Sequence, residues 1–263
     1  MISKSKIKLI RSLGRKKSRE HEKLFLVEGE KMVMELLHGN PGGDPKERPS
    51  IRELIATEAW ISTHAASLQG VDTEVTRAGE KEVRSISNLV TPQPVVAIAT
   101  IPETGLDPAV LSGETVLGLE AARDPGNLGT IIRTADWFGI RQILCTPDSV
   151  DLYNPKVVQS TMGAMLRVKV HYTELEQLLK EQPMQGKPVY GTFLKGENIY
   201  ETKLGQNPLI LFGNESKGLS SVYDPYITTR ISIPSFAGDM RGSESLNLAS
   251  SVAVVCSEVR RRG

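Results

Sequence analysis

The chain has 263 residues, 39% hydrophobic and 24% charged, a balance that excludes a disordered or fibrous protein and predicts packed cores. No apolar run approaches the roughly 18–20 residues that span a bilayer, and the start MISKSKIKLIRSLGRKK is basic with no apolar stretch behind it, so a cytoplasmic protein with no membrane partner is expected. The net charge of +1 is unevenly spread: residues 1–23 hold nine Lys/Arg against Glu20 and Glu22, a net +7, which leaves −6 on the other 240 residues. A basic end of this kind suits contact with phosphates, and it equally suits a solvated helix face.

Leu24-Phe25-Leu26-Val27 reads as a short strand leading into a helix that carries Met32, Val33, Leu36 and Leu37 at helical spacing. Residues 39–50, with three glycines and three prolines, form a loop. Ala59-Trp60-Ile61 and Val95 to Ile101 read as strands on either side of a helical stretch near residues 78–89. Pro102 to Gly113 breaks the pattern, which predicts a small α/β domain over 1–105, a linker over 106–114 and a second domain over 115–263. In the second domain, apolar runs at 115–119, 142–146, 168–171, 189–194, 209–212 and 230–233 are predicted strands. Helical stretches at 128–138, 155–166, 174–181 and about 244–260 separate or follow them. Short continuous apolar strands alternating with helices imply an α/β fold with a parallel sheet covered on both faces. Cys145 and Cys256 lie in apolar stretches and read as buried thiols, and the four histidines lack metal-ligand spacing, so no metal site is expected.

Ligands of open parallel sheets bind beyond the carboxyl ends of the strands, which directs attention to three loops. The first is Arg123-Asp124-Pro125-Gly126-Asn127-Leu128-Gly129, opening a helix whose apolar pattern Arg133 interrupts and which Gly139 ends. Asn127 there can be a helix N-cap, a functional side chain, or both. The second is Gly213-Asn214-Glu215-Ser216-Lys217-Gly218, directly after the strand at 209–212. It can also be an ordinary tight turn with Glu215 solvated. The third runs from Ile233-Pro234 to Ser245-Leu246-Asn247 at the start of the last helix, where Ser245 or Asn247 can serve only to satisfy helix-terminal amides. Phosphate-loop, dinucleotide-binding and nucleophile-elbow motifs are absent.

These three loops, in this order and before this terminal helix, resemble the SpoU-type RNA 2′-O-ribose methyltransferases of the SPOUT superfamily. The resemblance rests on Asn127-x-Gly129-x-x-x-Arg133-x-Ala135 with Phe138-Gly139, on Gly213-Asn214-Glu215-x-x-Gly218, and on Ile233-Pro234 with Ser245-Leu246-Asn247. Lys16-Lys17-x-Arg19 and Phe25-Leu26-Val27-Glu28-Gly29 are similar to that family's small ribosomal-protein-like α/β substrate-binding domain. The resemblance implies a deep trefoil knot in the C-terminal parallel sheet, a homodimer with sites formed across the interface, and S-adenosylmethionine as cofactor. It implies Thr192, Gly213, Ile233 and Leu246 around that cofactor, and catalytic roles for Arg133, Asn127, Glu215, Ser245 and Asn247. The RNA is expected to be ribosomal, with transfer RNA open, and the basic end, which the substrate-binding domain contains, is expected to contact it. Two other readings stay open: a SPOUT enzyme that methylates a base, and an RNA-binding or ribosome-assembly factor without catalysis. Residues 235–244, including Gly238, Asp239, Arg241 and Gly242, make the third loop longer than the family pattern.

Overall fold

A computed structural model of the chain describes residues 2–38, 47–103, 105–181, 184, 186–237 and 245–262. The expected loop residues 39–46 and the long-loop residues 238–244 lie outside the described residues, as do Gly238, Asp239, Arg241 and Gly242. The chain divides into two compact units, 1–105 with 151–166, and 106–150 with 167–263. Residues 151–166, expected in the second domain, therefore belong to the first unit.

In the first unit, helices α1 (Lys4–Ser12) and α2 (Lys16–Glu22) precede strand β1 (Leu24–Glu28) and helix α3 (Glu30–His38). Strand β2 (Ile51–Ala56), helices α4 (Glu58–Thr63) and α5 (Ala65–Leu68), strand β3 (Glu74–Arg77), helix α6 (Glu80–Ile86) and strand β4 (Val95–Thr100) follow. The sheet order is β1-β4-β2-β3, with β4 antiparallel to both neighbours and β2 parallel to β3. Ile10, Leu13, Leu24, Leu26, Ile55 and Ile98 share its core. The expected strand at Ala59-Trp60-Ile61 is corrected: these residues lie in α4, where the Thr57 hydroxyl accepts the Trp60 amide and Glu58 sits in the first turn. An apolar triplet is too short for its period to separate strand from helix.

Helix α7 (Pro108–Ser112) opens the second unit, followed by β5 (Val116–Leu119), α8 (Pro125–Trp137) and β6 (Gln142–Cys145). The chain then contributes α9 (Pro155–Thr161) to the first unit. It continues with β7 (Lys169–Tyr172), α10 (Leu175–Lys180), β8 (Val189–Asn198), β9 (Leu209–Phe212), β10 (Thr229–Ser232) and α11 (Leu248–Arg262). The six strands lie in the order β10-β8-β9-β5-β6-β7, every pair parallel. Strands β5, β6 and β9 are buried along their whole length, as strands covered on both faces must be. Helix α11 packs on α8, and Arg260 donates to the carbonyls of Phe138 (2.6 Å) and Gly139 (2.9 Å), satisfying the end of α8 where Gly139 takes its positive φ. Burial pushes both Cys145 and Cys256 thiols up to about 12, so neither is a thiolate near neutral pH.

Helix α9 packs on β1, with the Tyr153 ring 4.7 Å from that of Phe25. The Arg19 guanidinium, 2% exposed, donates to Asp151 through Nε (3.0 Å) and Nη2 and to the Leu13 carbonyl through Nη1 (2.8 Å). Arg19 is therefore not available to RNA, a correction to the expectation for the basic end. Removing one member of a buried ion pair strands the other charge. We expect Arg19→Met to lower unfolding free energy by about 3 kcal/mol in urea titration and the Arg19→Met, Asp151→Leu pair to recover much of it. Wild-type stability in the single variant would contradict this account.

Candidate active site at the carboxyl end of the parallel sheet

The first loop leaves β5 through Glu120 and Ala121. The N-cap of α8 is Asp124, whose Oδ1 accepts the Asn127 amide at 2.7 Å, with Pro125 preset at the first helical position. The expected possibility that Asn127 is itself the cap is thus corrected. Because Asp124 fills that position, the Asn127 side chain is turned to other partners.

Those partners are the other two loops. Asn127 Nδ2 donates to Glu215 Oε1 at 2.9 Å, and Asn127 Oδ1 accepts from Asn247 Nδ2 at 3.0 Å. Asn247 Oδ1 in turn accepts the amides of Ala249 (2.9 Å) and Ser250 (3.3 Å) at the start of α11. The result is one directional chain: helix amides to Asn247, Asn247 to Asn127, and Asn127 to a carboxylate. Each amide side chain uses its oxygen on one side and its nitrogen on the other, which fixes the orientation of both. Asn247 is therefore at once a helix cap and a link to the other two loops.

The second loop is pinned at both ends to the exit of β5. Asn214 Nδ2 donates to the Ala121 carbonyl at 3.0 Å, and the Ser220 amide donates to Glu120 Oε2 at 2.7 Å. Burial and the nearby Asp148 push the Glu120 carboxyl up against that hydrogen bond. Ala121 adopts φ +50, and its amide donates to Thr146 Oγ1 at 2.8 Å. Within the loop, Asn214 and Gly218 exchange backbone hydrogen bonds of 3.1 and 2.8 Å. Gly213 is needed for that closure, because a methyl there would lie 2.1 Å from the Gly218 carbonyl carbon and the Leu219 nitrogen. Neither the Glu120 nor the Ala121 contribution is visible as a motif; the Asp-Pro pair at 124–125 is the readable signal for the helix start.

Strand β8 runs longer than expected because it loops out. Thr229 and Arg230 pair with Tyr190 and Gly191, then Ile231 and Ser232 pair with Glu197 and Asn198. This excursion carries Thr192, whose hydroxyl donates to the Leu211 carbonyl at 3.0 Å, and Phe193, covered by the Arg230 guanidinium at 4.5 Å. Such bulges collect beside active sites. Leu194, Phe236 and Leu246 are 76%, 84% and 52% exposed; Leu194 lies on this excursion, Phe236 follows β10 and Leu246 precedes α11. Ile233 is half-buried and Ser245 exposed.

Arg133 is not drawn into this chain of bonds. It lies six residues beyond Asn127 on α8, about 9 Å along the axis and about 120° around it. Its side chain is exposed on a face shared with Thr130 and the 85% exposed Trp137, without a hydrogen bond or ion pair among the described residues. The described residues contain no cluster of side chains fit to hold a metal ion, and none of their helices is long and apolar enough to cross a membrane.

Residues 114–257 match the SpoU rRNA Methylase family, and residues 4–97 match the MRM3-like substrate binding domain. The chain is 28% identical to the 23S rRNA (guanosine(2553)-2′-O)-methyltransferase of Bacillus subtilis over 97% of its own length and 96% of that protein. Among solved structures it is similar to a TrmH-family chain from Porphyromonas gingivalis, with 38% identity, full coverage of both chains and a TM-score of 0.83. An rRNA methyltransferase from Sinorhizobium meliloti, solved with S-adenosylmethionine bound, is 29% identical over 99% of this chain and 97% of that one, with a TM-score of 0.82.

Substituting Asn127→Asp would set a carboxylate against Glu215. Like charges raise the folded-state pKa of the pair, so stability is present at low pH and lost as pH rises through that raised value. Both groups are accessible to solvent, so thermal unfolding should show a modest deficit, below about 1 kcal/mol at pH 7.5 and vanishing near pH 4. A deficit independent of pH would mean that the contact is not the one described.

Proposed function

This chain belongs to the SpoU rRNA methylase family, and from that premise we propose that it transfers a methyl group from S-adenosylmethionine to a ribose 2′-hydroxyl of ribosomal RNA. The observation that carries the reading is the hydrogen-bonded run Glu215–Asn127–Asn247, which gathers the three motif loops at the carboxyl end of the parallel sheet. The surroundings suit the cofactor. Exposed Leu194, on the excursion of β8, Phe236, after β10, and Leu246, before α11, offer apolar surface for an adenine and a methionine chain. Gly213, Ile233, Leu246 and Thr192 would hold it. Once bound, S-adenosylmethionine supplies a methyl group on a sulfonium. The knotted path implied by the family resemblance belongs to the same reading.

The reaction is an in-line displacement: the bond from carbon to the ribose oxygen forms as the bond from carbon to sulfur breaks, and the hydroxyl proton leaves. Positioning the oxygen behind the methyl supplies much of the rate. In our reading Asn127, Glu215, Ser245 and Asn247 orient the ribose. An arginine stays protonated in nearly any protein environment, so Arg133 holds the target phosphate and stabilises the developing alkoxide while another group or water accepts the proton. Its position on an outward face of α8, beside Trp137, favours a homodimer in which Arg133 serves the site of a second copy. A cytoplasmic location fits this substrate.

The purified protein is expected to methylate an unmodified 23S rRNA transcript, and nucleoside analysis should recover a 2′-O-methylated ribonucleoside. A methylated base, methylation of transfer RNA only, or failure to bind S-adenosylmethionine by calorimetry would each overturn the proposal in a different way. Arg133→Lys keeps the charge but loses the planar fork and should lower kcat at least roughly tenfold. Trp137→Glu, at an exposed position, should convert the dimer to a monomer in light scattering and abolish turnover. A monomeric variant with full activity would refute the shared site.

A further inference from the structure

The basic end of the chain is thinned by folding. Arg19 is buried on Asp151, Lys6 is paired with Glu53 at 2.8 Å, and Lys16 approaches Glu20. Arg11 and Arg15 remain exposed, and both are brought beside a loop that charge alone does not single out. Arg11 Nε donates to the Ser85 carbonyl at 2.8 Å, while Gly14 backs onto Asn88, a methyl there lying 3.7 Å from Asn88 Oδ1. Arg84, exposed on α6, is the residue before Ser85. Among the described residues Arg15 and Arg84 have no carboxylate partner.

The loop itself, residues 87–94 between α6 and β4, is held from below. Glu28, 6% exposed, accepts the Ser87 hydroxyl, the Asn88 amide at 2.8 Å and Asn88 Nδ2 at 3.1 Å. The Leu89 amide donates to Ser87 Oγ at 3.1 Å, and β4 begins one residue after Pro94, paired on both sides. What this buried clamp presents is Val90, an aliphatic side chain with 104% relative exposure, next to exposed Thr91. A fully exposed valine on a braced loop, whose first residues lie against the segment that carries exposed Arg11 and Arg15, suits a partner that offers phosphates and an unstacked base together. Single-stranded loops and bulges of RNA have that chemistry.

We propose that Val90 is the tip of an RNA-reading element, packing against an exposed base or sugar while Arg11, Arg15 and Arg84 hold the adjoining phosphates. The inference rests on the proposed RNA substrate but not on catalysis. The two kinds of contact are separable by salt. An apolar contact changes affinity at all ionic strengths alike, whereas removing a side chain that neutralises one phosphate lowers the slope of log K against log salt by about one.

The test is equilibrium binding of the full-length protein to an unmodified 23S rRNA transcript, without S-adenosylmethionine, over a salt series. Val90→Ser is neutral and exposed; it should weaken binding at least fivefold with an unchanged salt slope, and with unchanged thermal unfolding and calorimetric binding of S-adenosylmethionine. Arg15→Ala should weaken binding and flatten the slope by about one. Unaltered affinity in Val90→Ser overturns the reading element, and an unaltered slope in Arg15→Ala overturns the phosphate contact. Because binding is measured without methyl transfer, a wild-type protein that binds RNA in this way yet transfers no methyl would sink the catalytic reading and leave this one standing.

Discussion

One amide side chain joins the three loops of the candidate site. Among the described residues, Asn127 is the sole link between the side chains of Glu215 and Asn247, residues supplied by loops that follow different strands. Its two ends are chemically distinct, so it can be a donor to one neighbour and an acceptor from the other only in one orientation. An aspartate would repel Glu215, and an apolar residue would leave both neighbours unlinked. The requirement spreads outward. Asp124 must cap α8 so that Asn127 is free, Pro125 must start the helix, and Gly213 must let the second loop close so that Glu215 comes within reach. Glu120 and Ala121 then hold that loop at both its ends.

The parallel sheet is legible in the sequence because its strands are short, continuously apolar and separated by helices, a pattern that few folds besides a sheet covered on both faces produce. Five of the six predicted strands of that sheet match the observed ones to within about two residues. The sixth, β8, extends farther because the loop-out at 192–196 interrupts its pairing without interrupting the chain, and register is not written in hydrophobicity. In the first unit, Trp60 and its neighbours pass for a strand because a buried helix of one or two turns and a buried strand look alike over three residues. The grouping of 151–166 with the first unit is unreadable for a different reason: it goes with α9 packing on β1 and with Arg19 meeting Asp151 across 132 residues, long-range contacts that leave no local signature.

The site is half legible in the same sense. Motif order brings Asn127, Glu215 and Asn247 forward as candidates, and the structure places them in contact. Glu120 and Ala121 carry no such signal, because each meets the second loop through a backbone group on one side of the bond, and a backbone group imposes no residue type on its partner. Charge is the least reliable guide. Nine cations in the first 23 residues suggest one uniform basic end, yet folding removes Arg19 to the interior and pairs Lys6 with Glu53, so the charge this region presents depends on which cations lack partners.

The position of Arg133 constrains the chemistry more than its identity does. On a straight α-helix, a residue six places beyond Asn127 faces about 120° away, so these two side chains leave the helix in different directions. One turn further along the same face stands the exposed ring of Trp137, and leaving such a ring in water forgoes apolar burial that a second surface would recover. The proposed dimer, in which the outward face of α8 meets another copy of the chain, would answer to both facts. In the proposed reading, a guanidinium with no carboxylate of its own helix attached keeps its full fork for phosphate and for the charge that develops on the ribose oxygen.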